Sequence, residues 1–151
     1  MKIYGLILIL FTFISCGDSP LLNHDLEGVG LEDDFFRAST EGFRFKKTDY
    51  SFNLTWITGP VKGQNKFILK SWRKDLGTLN GPYQDLPNDL HIYLWMPAMG
   101  HGSSPVKIKQ LASGEYEVSD AYFIMGGKWE IHFQLLQKEN ILDEVVLPIS
   151  L

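Results

Sequence analysis

The sequence predicts an all-β fold, an immunoglobulin-like antiparallel β-sandwich of about seven strands. From Tyr50 onward the chain consists of short segments that are rich in β-branched and aromatic residues. Gly, Pro, Asn and Ser punctuate these segments, and such residues are typical of turns. Several segments also alternate between apolar and polar residues, which gives each of them one apolar face.

The predicted strands and turns follow one another along the chain. Composition and alternation place strands at residues 50–58, 66–73, 90–96, 106–110, 116–123, 128–136 and 143–149. Turn residues mark the connections at Gly59-Pro60, Gly81-Pro82, Asn88-Asp89, Ser113-Gly114 and Gly126-Gly127. The last of these pairs predicts a hairpin between the strands on either side of it.

Three of the strands present clear apolar faces, which we expect to form the core. These faces comprise Phe52, Leu54 and Trp56, then Leu90, Ile92, Leu94 and Met96, and finally Trp129, Ile131, Phe133 and Leu135. His91 and His132 fall on the opposite faces, so we expect both at exposed strand positions. Trp56 and Trp129 are assigned to the core, whereas the sequence leaves the place of Trp95 open.

The N-terminal residues predict an exported lipoprotein. Lys2 precedes an apolar run that ends at Ser15, directly before Cys16, the single cysteine of the chain. This run is shorter than the roughly 20 residues that a spanning helix needs. Residues 13–16 (Phe-Ile-Ser-Cys) resemble the lipobox of bacterial lipoproteins, with Phe13 where Leu is usual. We therefore expect residues 1–15 to be a signal peptide and Cys16 to carry lipid such as palmitate; the alternative is an ordinary signal that ends near a cysteine.

These features predict a lipid-anchored location in the cell envelope, facing the periplasm or exposed on the cell surface. Asp18 is the second residue after Cys16 rather than the first, which favours the outer membrane. Residues 16–48 show no sustained period and are interpreted as the lipidated cysteine and a flexible tether, and residues 49–151 as the folded domain. The net charge of −4 argues against nucleic acid as a partner.

Signatures of catalysis are absent from the sequence. It contains no HExxH, no Gly-x-Ser-x-Gly and no phosphate-binding Gly-rich loop, and its one cysteine is expected to be lipidated. Triads of Ser, His and Asp are assembled in space, so sequence order alone neither reveals nor excludes one. We expect a protein that is not an enzyme.

One cluster of residues points to metal chemistry. Met96, Met99 and His101 fall within six positions at the end of a predicted strand, and Met125 ends another strand before the Gly-Gly turn. Thioethers and a neutral imidazole suit copper(I), because soft sulfur prefers a soft ion. The alternative is structural, since methionine commonly fills cores and Met96 is in phase with Leu94.

Residues 90–136 contain three motifs in the order Met-Pro-x-Met-x-His-Gly, Gly-Glu-Tyr and Phe-Ile-Met-Gly-Gly-x-Trp. This order resembles that of the YtkA-like and FixH-like domains. The resemblance implies a small immunoglobulin-like sandwich outside the cytoplasm and an association with copper handling, oxidase assembly or metal efflux. It implies Met96, Met99, His101 and Met125 as metal ligands, and a structural role for the Gly-Gly-x-Trp turn. FixH-like proteins carry a membrane helix, which a lipid anchor would replace here.

Two functions follow as hypotheses. The first is an envelope lipoprotein that binds copper(I) through the Met/Met/His loop and delivers it to a protein partner in the envelope. The second is a metal-free interaction module that docks on an efflux or oxidase-assembly complex, with the same loop as its contact surface.

Overall fold

The computed structural model describes residues 42–151, and this part of the chain is built from strands without any helix. The predicted signal peptide, Cys16 and the first part of the predicted tether lie outside the described residues. No helix that could cross a membrane occurs within 42–151. Nine strands are present: β1 (Phe43–Arg44), β2 (Tyr50–Thr58), β3 (Gly63–Arg73), β4 (Asp89–Met96), β5 (His101–Gly102), β6 (Lys107–Ala112), β7 (Glu115–Phe123), β8 (Lys128–Gln137) and β9 (Asn140–Ser150).

The strands form two antiparallel sheets that pack face to face. The first sheet has the order β1-β2-β3-β7-β6, and the second has the order β5-β4-β8-β9. Without β1 and β5, this is the arrangement of a constant-type immunoglobulin domain, with four strands in one sheet and three in the other. The predicted fold class is therefore confirmed, and each of the seven predicted strands overlaps an observed one.

Two strands were not predicted, and both are only two residues long. β1 pairs with β2 at the edge of the first sheet, and β5 pairs with β4 at the edge of the second. A two-residue strand has no period to detect, so pairing with a longer neighbour defines it.

The core lies between the two sheets and contains the predicted faces. Trp129, Ile131, Phe133 and Leu135 are all buried along β8. Leu54 and Trp56 are only partly buried, because the end of β2 that carries them lies at the edge of the first sheet. Strands β3 and β7 complete the core with Phe67, Leu69, Tyr116, Val118, Ala121 and Phe123.

The folded part begins earlier than the expected residue 49. Phe45, which was assigned to the tether, has no exposed surface and packs on Phe52 with ring centroids 5.2 Å apart. The turn after it is held by the buried carboxylate of Asp143, whose Oδ2 accepts hydrogen bonds from Lys47 N (2.5 Å) and Thr48 N (3.0 Å). These contacts join the start of the domain to β9, about a hundred residues further along the chain.

The hairpin predicted at the Gly-Gly turn is wrong. Strand β7 belongs to the first sheet and β8 to the second, so residues 124–127 cross from one sheet to the other. Gly127, with a φ of 129°, exchanges two backbone hydrogen bonds of 3.0 Å with Leu151 rather than closing a turn onto β7. Glycine pairs permit both arrangements, and only the packing of the two sheets selects the crossing.

Candidate metal centre

The four candidate ligands come from two connections at one end of the sandwich. Strand β4 ends at Met96 and passes through residues 97–100 into β5, which begins at His101. Residues 124–127, which include Met125, lead into the start of β8. Strands β4 and β8 are antiparallel neighbours with Trp95 opposite Glu130, so the end of β4 adjoins the start of β8. The fold therefore places all four residues at the same end.

Met96 and His101 lie directly opposite each other in the antiparallel pair of β4 and β5. Directly opposed residues point to the same face of a sheet, with Cβ atoms about 4.5–5.5 Å apart. Met96 is buried in the core, and His101 is partly buried. The thioether and the imidazole consequently share one face at the margin of the core.

Met99 lies in the tight turn between these two strands. Met96 O accepts hydrogen bonds from Met99 N (3.1 Å) and from Gly100 N (3.0 Å). Gly100 has a φ of 64°, a left-handed conformation that glycine adopts without strain. The Met99 residue is 55% exposed, so its backbone is held beside Met96 while its side chain remains at the surface.

Met125 belongs to the segment against which the Met96 side chain packs. A Cβ atom built on Gly127 would lie 2.7 Å from Met96 Cε, so the methyl group of Met96 touches the backbone two residues after Met125. Met125 is itself partly buried against the core, and its carbonyl oxygen accepts a hydrogen bond of 3.0 Å from Trp129 Nε1. The buried indole thereby fixes the backbone of Met125 beside the end of β4.

The hydrogen bond of His101 leaves one ring nitrogen available for a metal. His101 Nδ1 lies 3.1 Å from Gly102 O. A carbonyl oxygen only accepts hydrogen bonds, so Nδ1 carries the hydrogen and Nε2 of the neutral ring has the free lone pair. Metal-binding histidines are commonly oriented in this way by a backbone carbonyl.

The chemistry of these donors fits copper(I) better than a harder ion. Within residues 42–151, no three His, Cys, Asp or Glu side chains come together as a metal site. The candidate ligands at this end are three thioethers and one imidazole, all uncharged. Zinc is usually bound by thiolate, imidazole and carboxylate, and calcium by oxygen, whereas soft thioethers select copper(I).

Trp95, whose place the sequence left open, does not share the core face of β4 with Met96. It alternates along β4 with the buried residues Leu94 and Met96 and therefore lies on the outer face of the second sheet. His91 lies on the same outer face and is exposed, as predicted, and its Nδ1 is 3.1 Å from Gln134 Oε1.

His132 was predicted on the correct face, but its expected exposure is wrong. Its side chain is only 13% exposed, and each ring nitrogen lies 3.0 Å from a carboxylate oxygen, one of Glu130 and one of Glu144. The ring also stacks on Tyr93, with centroids 4.4 Å apart and planes at 14°. Glu130 could have been inferred from its position two residues away, but Glu144 and Tyr93 reach His132 only through the pairing of β8 with its two neighbours.

The contacts of this cluster shift the pKa values of Glu144 and Tyr93. Burial would raise the pKa of Glu144, but hydrogen bonds from His132 and Gln134 prevail, and the pKa lies below its ordinary value of 4.5. Burial, followed by the negative charges of Glu144 and Glu130, raises the pKa of the Tyr93 hydroxyl.

The lowered pKa of Glu144 predicts a loss of stability in acid. An acid whose pKa is lower in the folded state than in the unfolded state stabilises the fold at pH values above its unfolded-state pKa. This contribution disappears as the pH falls through the folded-state pKa. We therefore expect the urea midpoints of the parent and Glu144→Gln to differ at pH 7 and to converge below pH 4.5. A difference that stays constant from pH 7 to pH 3 would contradict this account.

The two sheets and their connections define a small all-β sandwich of immunoglobulin-like topology, with a methionine- and histidine-bearing end. The chain belongs to the YtkA-like family, whose family model matches residues 45–134. Comparison with curated proteins and comparison with solved structures gave no match.

Proposed function

We propose that this protein is a lipid-anchored envelope protein that binds copper(I) at the end of its sandwich and passes the ion to a partner. The observation that carries the proposal is the direct opposition of Met96 and His101 in the β4–β5 pair. Membership of the YtkA-like family and the lipobox-like residues before Cys16 support the proposal independently of that geometry.

The arrangement suits an ion that must be held and then released. Met96 is buried and Met125 is partly buried, so these thioethers offer a pre-arranged inner side to the site. Met99 is exposed and lies on a turn, so it is the donor that a partner's ligand can displace first. Neutral thioether ligands leave copper(I) without a compensating negative charge, which favours exchange over permanent retention. The proposed role is binding and transfer, with no catalytic step.

The test is an anaerobic copper(I) titration in competition with a chromogenic chelator. The protein is the predicted mature chain, residues 16–151, with Cys16→Ser so that no thiol contributes. We expect one copper(I) per chain, and we expect Met99→Ala and His101→Ala each to weaken binding roughly tenfold or more, since even indirect disturbance of a metal ligand costs 10–100-fold.

A matched variant separates a specific site from general histidine binding. His91 is exposed on the outer face of β4, the same strand that carries Met96, and His91→Ala should leave the affinity unchanged. If the parent chain fails to compete with the chelator, or if His91→Ala weakens binding as much as His101→Ala, copper(I) binding by this end of the sandwich is wrong.

The exposed apolar side chains at the same end favour a second candidate function, a metal-free interaction module. Met99, Tyr122 and Ile124 are exposed there, and exposed apolar groups of this kind mark contact surfaces. Under this alternative, an efflux or oxidase-assembly component is the partner in the envelope. It predicts that His101→Ala changes no metal uptake because the parent binds none.

A further inference from the structure

Four segments at the end of the sandwich that bears the candidate ligands contain no acidic side chain. Residues 57–63, 97–106, 122–128 and 148–151 contain no aspartate or glutamate, although the chain has 18 acidic residues. They lie at one end because Gly63 pairs with Phe123, Lys128 pairs with Ser150, and residues 124–127 join the two sheets there. We call these four segments the apolar tip.

Two lysines of the apolar tip have no counter-charge among the described residues. Lys62 and Lys128 form no ion pair with a carboxylate of residues 42–151, whereas the nearby Lys66 and Lys107 are paired with Glu117 and Asp120. In a chain of net charge −4, the tip is therefore a local region of positive charge.

Large apolar side chains of the tip are open to solvent. They come from three of the four segments, and they are Ile57, Val61, Met99, Tyr122 and Ile124. They lie in loops and at strand ends. A protein partner would need a surface shaped to these side chains, whereas the interfacial region of a bilayer accepts them without a matching pocket.

We propose that the apolar tip docks on the surface of an anionic lipid bilayer. The apolar side chains enter the region of the lipid headgroups, and Lys62 and Lys128 contact lipid phosphates. Tyrosine is favoured at this depth because its ring is apolar and its hydroxyl is polar, which suits Tyr122. The absence of Asp and Glu side chains from the four segments removes side-chain groups that lipid phosphates would repel. This inference rests on the surface of the tip, and it stands whether or not the site binds copper(I).

Co-sedimentation with lipid vesicles tests the docking. The predicted mature chain, residues 16–151 with Cys16→Ser, is mixed with vesicles of phosphatidylcholine alone or with 30 mol% phosphatidylglycerol. We expect binding to the anionic vesicles that weakens as salt is added. Each lysine near an anionic surface contributes about fivefold in binding, so Lys62→Ala with Lys128→Ala should lower the partition coefficient about 25-fold. Val61→Asp should lower it roughly tenfold.

Matched substitutions at the opposite end provide the control. Ile141 is 52% exposed and Val61 is 50% exposed, so Ile141→Asp makes the same kind of change away from the tip. Lys74→Ala with Lys138→Ala removes the same charge at that far end. Both controls should bind anionic vesicles like the parent, and all variants are first checked for the parent's thermal midpoint.

Three results would overturn the proposal. In the first, the parent does not bind anionic vesicles. In the second, the parent binds vesicles of phosphatidylcholine alone as well as it binds anionic vesicles. In the third, the tip variants and the control variants lose equal amounts of binding. The first leaves the tip as a surface for a protein partner. The third shows that net charge alone, and no particular face, governs the attraction.

Discussion

Replacing Trp129 with alanine is expected to lower the free energy of unfolding by about 4 kcal/mol. Trp129 is 1% exposed, and its ring meets Phe123 edge-on with centroids 5.4 Å apart. Its Nε1 donates a hydrogen bond of 3.0 Å to Met125 O. The alanine variant thus loses a large buried ring, leaves a cavity between the two sheets, and removes the donor for a carbonyl group of the crossing segment. Urea unfolding of the parent and variant measures the loss.

A phenylalanine variant separates the ring from its hydrogen bond. Trp129→Phe keeps an aromatic ring in the core but lacks Nε1, so we expect it to cost about 1–2 kcal/mol. If Trp129→Ala costs no more than Trp129→Phe, packing of the indole is not the main contribution. Because the hydrogen bond holds the backbone of Met125, Trp129→Phe should also weaken copper(I) binding if Met125 is a ligand, while His91→Ala does not.

The sequence predicts the long strands well because burial imposes a strong pattern on them. Strand β8 alternates from Trp129 to Leu135, and each of these apolar positions is buried. Phe45 is equally buried, yet the alternation around it, Phe43-Arg44-Phe45-Lys46, is too short to establish a strand. Its burial depends on β2 and on Asp143, and local periodicity carries no information about contacts so distant in sequence.

The candidate site divides in the same way into local and distant parts. Met96, Met99 and His101 are close in sequence, and a tight turn is enough to bring their backbones together. Met125 comes from the connection between β7 and β8, and the predicted hairpin would have kept these two strands in one sheet. The crossing at residues 124–127 instead leads from the first sheet to β8, the neighbour of β4.

The buried and exposed donors have different consequences for the proposed transfer. Met96 packs on Gly127, so its sulfur has little freedom to follow a departing ion. Met99 is exposed at the apolar tip, where either a partner protein or a lipid surface would meet it first. Docking of the tip on a bilayer would therefore place the exchangeable ligand near membrane proteins that accept or supply the ion.

Replacing Asn65 with alanine is expected to cost about 3 kcal/mol of folding free energy, which is large for one polar side chain. Asn65 is 1% exposed and lies at the start of β3. Its Nδ2 donates to Val61 O and Gly63 O, both at 2.8 Å, and to Ala121 O at 3.1 Å. Its Oδ1 accepts from Val61 N at 2.8 Å. The amide therefore ties the β2–β3 loop to β7 and satisfies backbone groups that alanine would leave without partners.

Asn53 provides a matched comparison, because its Oδ1 accepts only from the adjacent Leu54 N and joins no distant segments. Asn53→Ala should cost less than about 1 kcal/mol. Asn65→Asp keeps the volume and the acceptor but removes the donors, so it should destabilise about as much as Asn65→Ala. Equal urea midpoints for Asn53→Ala and Asn65→Ala would show that water replaces the lost bonds. Since the same amide positions Val61, loosening this loop should also lower binding to anionic vesicles, whereas Asn53→Ala should leave it unchanged.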